Sequence, residues 1–198
     1  MSRGRVLARS FYARDSLALA PELLNKLLVR RTANGRRLAA RIVEVEAYDG
    51  ANDPASHAYR GETARNATMF GPAGHLYVYF TYGMHWCANV VTGARGEGVA
   101  VLLRAAAPVE GIEVMRDRRV KARRDRDLLA GPARLCQALG ITGVDNGNDL
   151  VRGDVRILDD GIAPPDAPRH TRRVGLAPGR GDEPPWRFFV RGDENLSR

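Results

Sequence analysis

Two acidic residues share one face of a predicted strand in "RIVEVEAYDG", residues 41–50. Period-two alternation puts Ile42, Glu44, Glu46 and Tyr48 on one face and Val43, Val45 and Ala47 on the other. The valine face belongs to a core. The opposite face would be an ordinary solvated sheet surface if it carried only one glutamate, since acids are seldom buried unpaired. Tyr48 beside Glu46, and His57 in the following "NDPASHAYRG", argue instead for a site. Carboxylates two positions apart on a strand lie roughly 6.5–7 Å apart at Cα, which invites a glycosidase-type acid/base pair. Side chains on one strand point in parallel, however, so a single working carboxylate with a positioned water fits better. Asp53 and His57 could begin a metal site, but the cluster is short of ligands. No metal and no cofactor are expected.

A second group lies in "HLYVYFTYGMHWCANVV", residues 75–91, where Tyr77, Tyr79 and Tyr82 fall within six positions. Tyr77 and Tyr79 share a strand face, and "TYGM" reads as a turn in which Gly83 permits a positive φ. Tyr82 and Met84 then project from a hairpin tip, while Asn89 sits among apolar neighbours. An apolar wedge on a basic protein suits insertion between DNA base steps. Extruding a nucleotide costs a few kcal/mol, and a ring that fills the gap offsets part of it. Packing of Tyr82 against a neighbouring loop accounts for the same residues equally well.

The elements around these groups are legible in outline. The chain has 198 residues, 44% of them apolar, enough for one domain with a substantial core. Its net charge of +8 suits a polyanionic partner, although many soluble proteins are as basic without one. Only Lys26 and Lys121 are lysines, so Schiff-base chemistry has few candidates. Cys87 and Cys136 cannot form a disulfide framework or a cysteine zinc site. No apolar run approaches the ~20 residues of a membrane span, and no secretory leader is visible. A cytosolic, reducing compartment is expected.

Residues 1–10 read as a flexible basic tail with little to bury, and 11–198 as one domain. Leucines 23, 24, 27 and 28 predict a helix that Pro21 opens at its first turn. "GVAVLLRAAAPVEG" predicts a buried strand leaving at Pro108. The run 115–127 predicts a charge-laced helix, more consistent with a solvated face than with a nucleic-acid contact. Residues 131–140 predict a second helix bounded by Gly131-Pro132 and Gly140. Residues 159–185 predict a long irregular segment, and "PWRFFVRG" a final strand. The order favours an α+β fold with a mostly antiparallel, curved sheet, surrounding helices and a protruding hairpin.

The blocks "RIVEVEAYDG", "ASHAYRG", "ARNATMFGPAGHLYVYFTYGMHWCANVV", "VAVLLRAAAP" and "AGPARLCQALGI" closely resemble the alkyladenine (3-methyladenine) DNA glycosylase family. The resemblance runs from about residue 11 to "PWRFFVRG", in the same order and at compatible spacing. It implies a monofunctional, monomeric enzyme that takes a damaged purine out of double-stranded DNA and hydrolyses its N-glycosidic bond. Glu46 matches the carboxylate that activates water, with Arg104 and the carbonyl of Val174 helping to hold that water. Tyr48 matches one wall of the base pocket, His57 and Tyr79 the other, and Asn89 the residue that crowds the exocyclic amino group of guanine. Tyr82 matches the intercalating wedge, with Met84 beside it, while Arg65 and Arg134 fall in blocks near the DNA backbone. The chain departs from the family at Arg172, where proline is common, and in a loop between His57 and Met69 that is one residue shorter than in mammalian members. A nucleic-acid-binding module without chemistry would use the same basic surface and hairpin. It would have no need of Glu46 and Arg104 as a pair.

Overall fold

The computed structural model describes residues 4–197. Its strands and α-helices, in chain order, are β1 (Arg5–Val6), α1 (Arg9–Tyr12), α2 (Ser16–Leu23), β2 (Leu27–Arg31), β3 (Arg37–Tyr48), β4 (Leu76–Thr81), β5 (His85–Val91), β6 (Ala100–Glu110), α3 (Ile112–Arg118), α4 (Pro132–Leu139), β7 (Val155–Asp159), β8 (Arg169–Thr171) and β9 (Arg187–Phe189). Among the described residues the strands form one sheet in the order β1-β7-β2-β3-β6-β5-β4, with β9 pairing both β3 and β8. Every pairing is antiparallel. The fold is α+β, as the interspersed pattern implies.

β3 is the spine of the sheet. One edge pairs with β6 along almost its whole length, and the other with β2 first and β9 afterwards. Its register against β6 slips first between Ala39 and Ala40 and again around Glu44, where Val43 and Arg104 are left outside the paired positions. A bulge of this kind re-aims side chains. Before it Leu38, Ala40 and Ile42 belong to the main core; after it Val45 and Ala47 do. Strict alternation therefore misplaces Ile42, which packs in the core and does not share the face of the glutamates. β6 changes phase at the same point, with Val101 and Leu103 in the core on one side of the shift and Ala106 on the other. This double change of phase turns Glu44, Glu46 and Arg104 to the face opposite the main core.

That second face is covered too. The loop between β3 and β4 packs Ala58 and Met69 onto Tyr77, Val91 and Ala100, a small apolar cluster that forms the underside of a cavity.

The expected helix over 115–127 stops at Arg118, the end of α3, and the expected irregular segment 159–185 contains β8; the structure differs from the sequence expectations in three further places. The leucine stripe divides: Asp15 caps α2 through bonds from the Leu17 and Ala18 amides, so Pro21 lies inside the helix and not at its start. Asn25, at φ 66°, then turns the chain, and Leu27 and Leu28 run along β3 as part of β2. Residues 4–10 are not a free tail, because Arg5–Val6 pair with β7, Leu7 is buried and Arg9 forms an ion pair with Asp149 at 2.7 Å. Residues 1–3 lie outside the described residues. Finally, β6 does not leave at Pro108 but continues to Glu110, with Pro108 opposite Ala40. The expected helix 131–140 matches α4, whose N1 position carries Pro132.

Candidate active site

The register across four strands builds the floor of one cavity. Glu46 on β3 faces Leu102 on β6, Leu102 faces Asn89 on β5, and Asn89 faces Tyr77 on β4. Directly opposed side chains share a sheet face, so this row points into a common space. Arg104, Cys87 and Tyr79, each two residues along from a member of that row, point the same way. The cavity they line has a volume of about 270 Å³ and is walled further by Tyr48, His57, Met69, Thr81, Tyr82 and the segment Val174–Leu176. It sits at the small end of ligand cavities.

Glu46 is fully buried. Its Oε1 accepts the backbone N–H of Val174 at 2.7 Å. Its Oε2 accepts the hydroxyl of Tyr48 at 3.2 Å and lies 3.2 Å from Arg104 Nη1. Burial pushes the Glu46 carboxyl above the ordinary range; Arg104, the Val174 amide and the Tyr48 hydroxyl oppose this and do not cancel it. The resemblance assigns Arg104 to holding a water beside Glu46. The guanidinium touches Glu46 directly, with Nε on Glu44 Oε1 at 2.8 Å and Nη2 on Ser197 Oγ at 3.0 Å. The amide of Val174 reaches the carboxylate, which places the Val174 backbone beside Glu46.

The aromatic walls come from two strands and a loop. Tyr77 and Tyr79 stack at 5.5 Å between centroids, and His57 meets Tyr79 edge-on at 4.5 Å. The Nδ1 of His57 shares a hydrogen bond with the Tyr77 hydroxyl at 3.0 Å. Partial desolvation, and then the charge of Arg65, hold the His57 pKa below its usual value, which favours the neutral imidazole. Asn89 is buried and donates from Nδ2 to the Tyr77 carbonyl at 3.3 Å, so its amide is tethered.

At the hairpin tip Tyr82 and Gly83 both have positive φ, 51° and 67°. Three residues, Tyr82–Met84, connect the paired Thr81 and His85, and the Met84 amide closes the turn on the Thr81 carbonyl at 3.2 Å. Gly83 adopts a positive φ freely, whereas a tyrosine there is strained. Tyr82 is 85% exposed and Met84 68% exposed. Tyr82 reaches the cavity mouth, but Met84 lines a separate groove with Trp86 and Gln137. Arg65 is exposed beside the hairpin and donates to the Phe80 carbonyl at 3.2 Å. Arg134 is exposed on the first turn of α4, two residues from Pro132 at the cavity rim.

Sequence reasoning missed the supports. Arg173 is buried, with both Nη atoms on Asp53, further bonds to the Ala47 and Gly181 carbonyls, and its guanidinium over the rings of Tyr48 and Trp186. It holds the irregular segment against the end of β3 and so places the neighbouring Val174 amide on Glu46. Asp53, weighed above as a metal ligand, is the partner of this arginine. Among the described residues no group of three or more His, Cys, Asp or Glu side chains could hold a metal. Lys26 is buried against Asp159, and neither lysine lines the cavity.

A buried carboxylate beneath an aromatic cavity small enough for one ring system could take a proton from a water placed beside a bound base. The chain matches the family model described as methylpurine-DNA glycosylase (MPG) over residues 10–194. Relatives provisionally named 3-methyladenine DNA glycosylase include one from Burkholderia cenocepacia, 54% identical over 98% of this chain and 92% of its own. Another, from Streptomyces avermitilis, is 49% identical over 96% and 90%. A third, from Methanocella arvoryzae, is 44% identical over 98% and 96%. The chain belongs to the methylpurine-DNA glycosylase family, and is a hydrolytic DNA N-glycosylase of DNA repair that acts on damaged bases. Among the described residues no helix is long and apolar enough to cross a membrane.

Proposed function

We propose that this glycosylase everts an alkylated or deaminated purine, such as 3-methyladenine, 7-methylguanine or hypoxanthine, from duplex DNA into the Tyr48–His57–Tyr79 cavity. There Glu46 activates the water that cleaves the glycosidic bond. The observation that carries this reading is a fully buried carboxylate at the floor of an aromatic cavity, with its pKa raised by burial toward the range useful to a general base. A carboxylate offers about two acceptor positions on each oxygen. On Oε2 the Tyr48 hydroxyl and Arg104 take both; on Oε1 the Val174 amide takes one. The second position on Oε1 is where the attacking water docks.

The bond to the purine breaks with oxocarbenium character at the sugar. An alkylated, cationic purine is already a good leaving group, so for it the enzyme mainly opens the duplex and aligns the water. Glu46 takes the proton of that water and favours the developing positive charge. Attack from the face opposite the base inverts the anomeric carbon. Stacking on Tyr48, Tyr79 and neutral His57 favours electron-poor rings, at about 1–3 kcal/mol per base. Tethered Asn89 crowds the exocyclic amino group of normal guanine. Tyr82 fills the gap left in the helix, and Arg65 and Arg134 meet the DNA backbone. With neither lysine in the cavity, strand cleavage through a Schiff base is not part of the reaction. The protein works as a monomer without a metal.

Single-turnover release of 7-methylguanine tests the role of Glu46. Glu46→Gln keeps lesion-DNA affinity and loses about 10²–10⁴-fold in rate, the usual share of general acid–base catalysis. Wild-type rate in that variant removes Glu46 from the reaction.

A further inference from the structure

The proposed reaction needs one carboxylate, yet a second lies on the same strand behind the one that lines the cavity. Glu44 is fully buried behind Glu46 and is surrounded by donors. Its Oε1 accepts from Arg104 Nε at 2.8 Å, Arg187 Nε at 2.7 Å and Ser197 Oγ at 2.6 Å, and its Oε2 accepts the Ser197 amide at 2.6 Å. Ser197 Oγ also accepts from Arg104 Nη2 at 3.0 Å. The guanidinium is a planar fork. With its Nε and Nη2 occupied by Glu44 and Ser197, the plane is set, and Nη1 is the donor that meets Glu46, at 3.2 Å. Arg104 and Glu44 also flank the register shift between β6 and β3, so the backbone that carries them is irregular where the side chains meet.

We infer that Glu44 is a positioning residue for base release. Anchored by Arg187 and Ser197, it fixes Arg104 so that one donor alone reaches Glu46, and it shares the charge that Arg104 would otherwise place wholly on Glu46. Completion of the site thereby depends on residues 187–197, which arrive from β9 and the segment after it. The inference rests on Glu46 as the general base.

The charged and titratable groups facing Glu46 define what the test must separate. On its own strand are Glu44 and Tyr48, and from β6 comes Arg104. Tyr79 approaches from β4. Cys87 lines the same cavity from β5, Arg173 lies over Tyr48, and Arg187 reaches Glu44 from β9. Of the two strong charges, Arg104 favours the Glu46 carboxylate and Glu44 disfavours it.

The experiment is single-turnover release of 7-methylguanine from a duplex at saturating protein, measured against pH, with binding of the same duplex measured in parallel. In Glu44→Gln the plateau rate falls by about 10²-fold, the scale of a 1 Å misplacement at a reacting centre, while affinity for lesion DNA stays the same. The acid limb of the profile moves to lower pH, since Arg104 then faces one carboxylate. Ser197→Ala keeps the backbone donor to Glu44 and serves if Glu44→Gln does not fold; its rate falls by about tenfold, the low end of losses from removing an outer supporting contact. A Glu44→Gln protein with the wild-type rate and limb overturns the inference. So does a rate lowered equally at every pH with the limb unmoved, the mark of a purely structural role. A fully active Glu46→Gln control overturns the underlying reading of Glu46 instead, which separates the two failures.

Discussion

Glu44 and Glu46 lie two residues apart on one strand, both without solvent exposure, yet they end in opposite electrostatic states. Burial raises the pKa of each carboxyl, and the difference lies in what answers it. Glu44 receives four short hydrogen bonds, two of them from arginines, and its pKa falls below the ordinary range. Glu46 receives one short bond from an amide and two contacts at 3.2 Å, and its pKa rises. Hydrogen bonds to the charged form favour it, and their number decides whether desolvation is overcome. On the proposed reading the labour is divided: the saturated carboxylate organises the site, and the under-provided one keeps the basicity and the acceptor position that a general base needs.

Stability gives the largest way to break this comparison. Removing one partner of a buried ion pair costs about 3–5 kcal/mol, because the remaining charge is left uncompensated. Glu44→Ala strands Arg104 and Arg187 together, and urea denaturation at pH 8 should show a loss of that size. Glu46→Gln should show no comparable loss and a midpoint at or above wild type. The signs follow from linkage. Glu44, with a depressed pKa, contributes stability that is present above the ordinary carboxylate range and lost as pH falls through its lowered value. Glu46, with an elevated pKa, costs stability above that value, and the cost is relieved as pH falls through it. Equal losses in the two variants would show that the carboxylates do not differ in this way.

Part of this arrangement was legible in the amino-acid sequence. The strand carrying the two glutamates, the tyrosine hairpin and the helix between Pro132 and Gly140 are local patterns of alternation, turn chemistry and capping, and they form where those patterns point. Arg104 was singled out by the family resemblance alone, although a cation inside "VLLRAAA" must find an acid. The bulge at Glu44 was not legible, because both faces of β3 are buried and strict alternation has no solvent side against which to show a slip. The supports were hidden by distance along the chain. Glu44 meets Ser197 across 153 positions, and Asp53 meets Arg173 across 120. Arg173 is one of two adjacent arginines in "HTRRVG", and nothing in their types says which one is buried.

The hairpin supplies a control of intermediate size that touches neither carboxylate. Tyr82 stands 85% exposed at a strained turn, far from the saturated network. Tyr82→Ser should weaken lesion-DNA binding by about 1–3 kcal/mol, the worth of one stacked ring. The observed rate should fall with it, while lesion preference and the acid limb stay those of the wild type. A limb that moved in this variant would mean that the pH profile reports DNA opening rather than Glu46.

The smallest effect discriminates most finely, because it acts on Glu46 from the side opposite to Glu44. Tyr48 donates its hydroxyl to Glu46 Oε2 at 3.2 Å and presents its ring to the cavity. Tyr48→Phe keeps the ring and deletes that one donor to the charged form. A hydrogen bond of this kind is worth about 0.5–1.5 kcal/mol net, equivalent to at most about one pH unit. Loss of the donor should therefore move the acid limb of base release upward, with the plateau rate little changed once Glu46 is ionised. Glu44→Gln moves the same limb downward, because it removes a neighbouring negative charge. Two substitutions on one strand face, each two residues from Glu46, thus displace one titration in opposite directions. Movement in the same direction would place the titrating group elsewhere in the cavity.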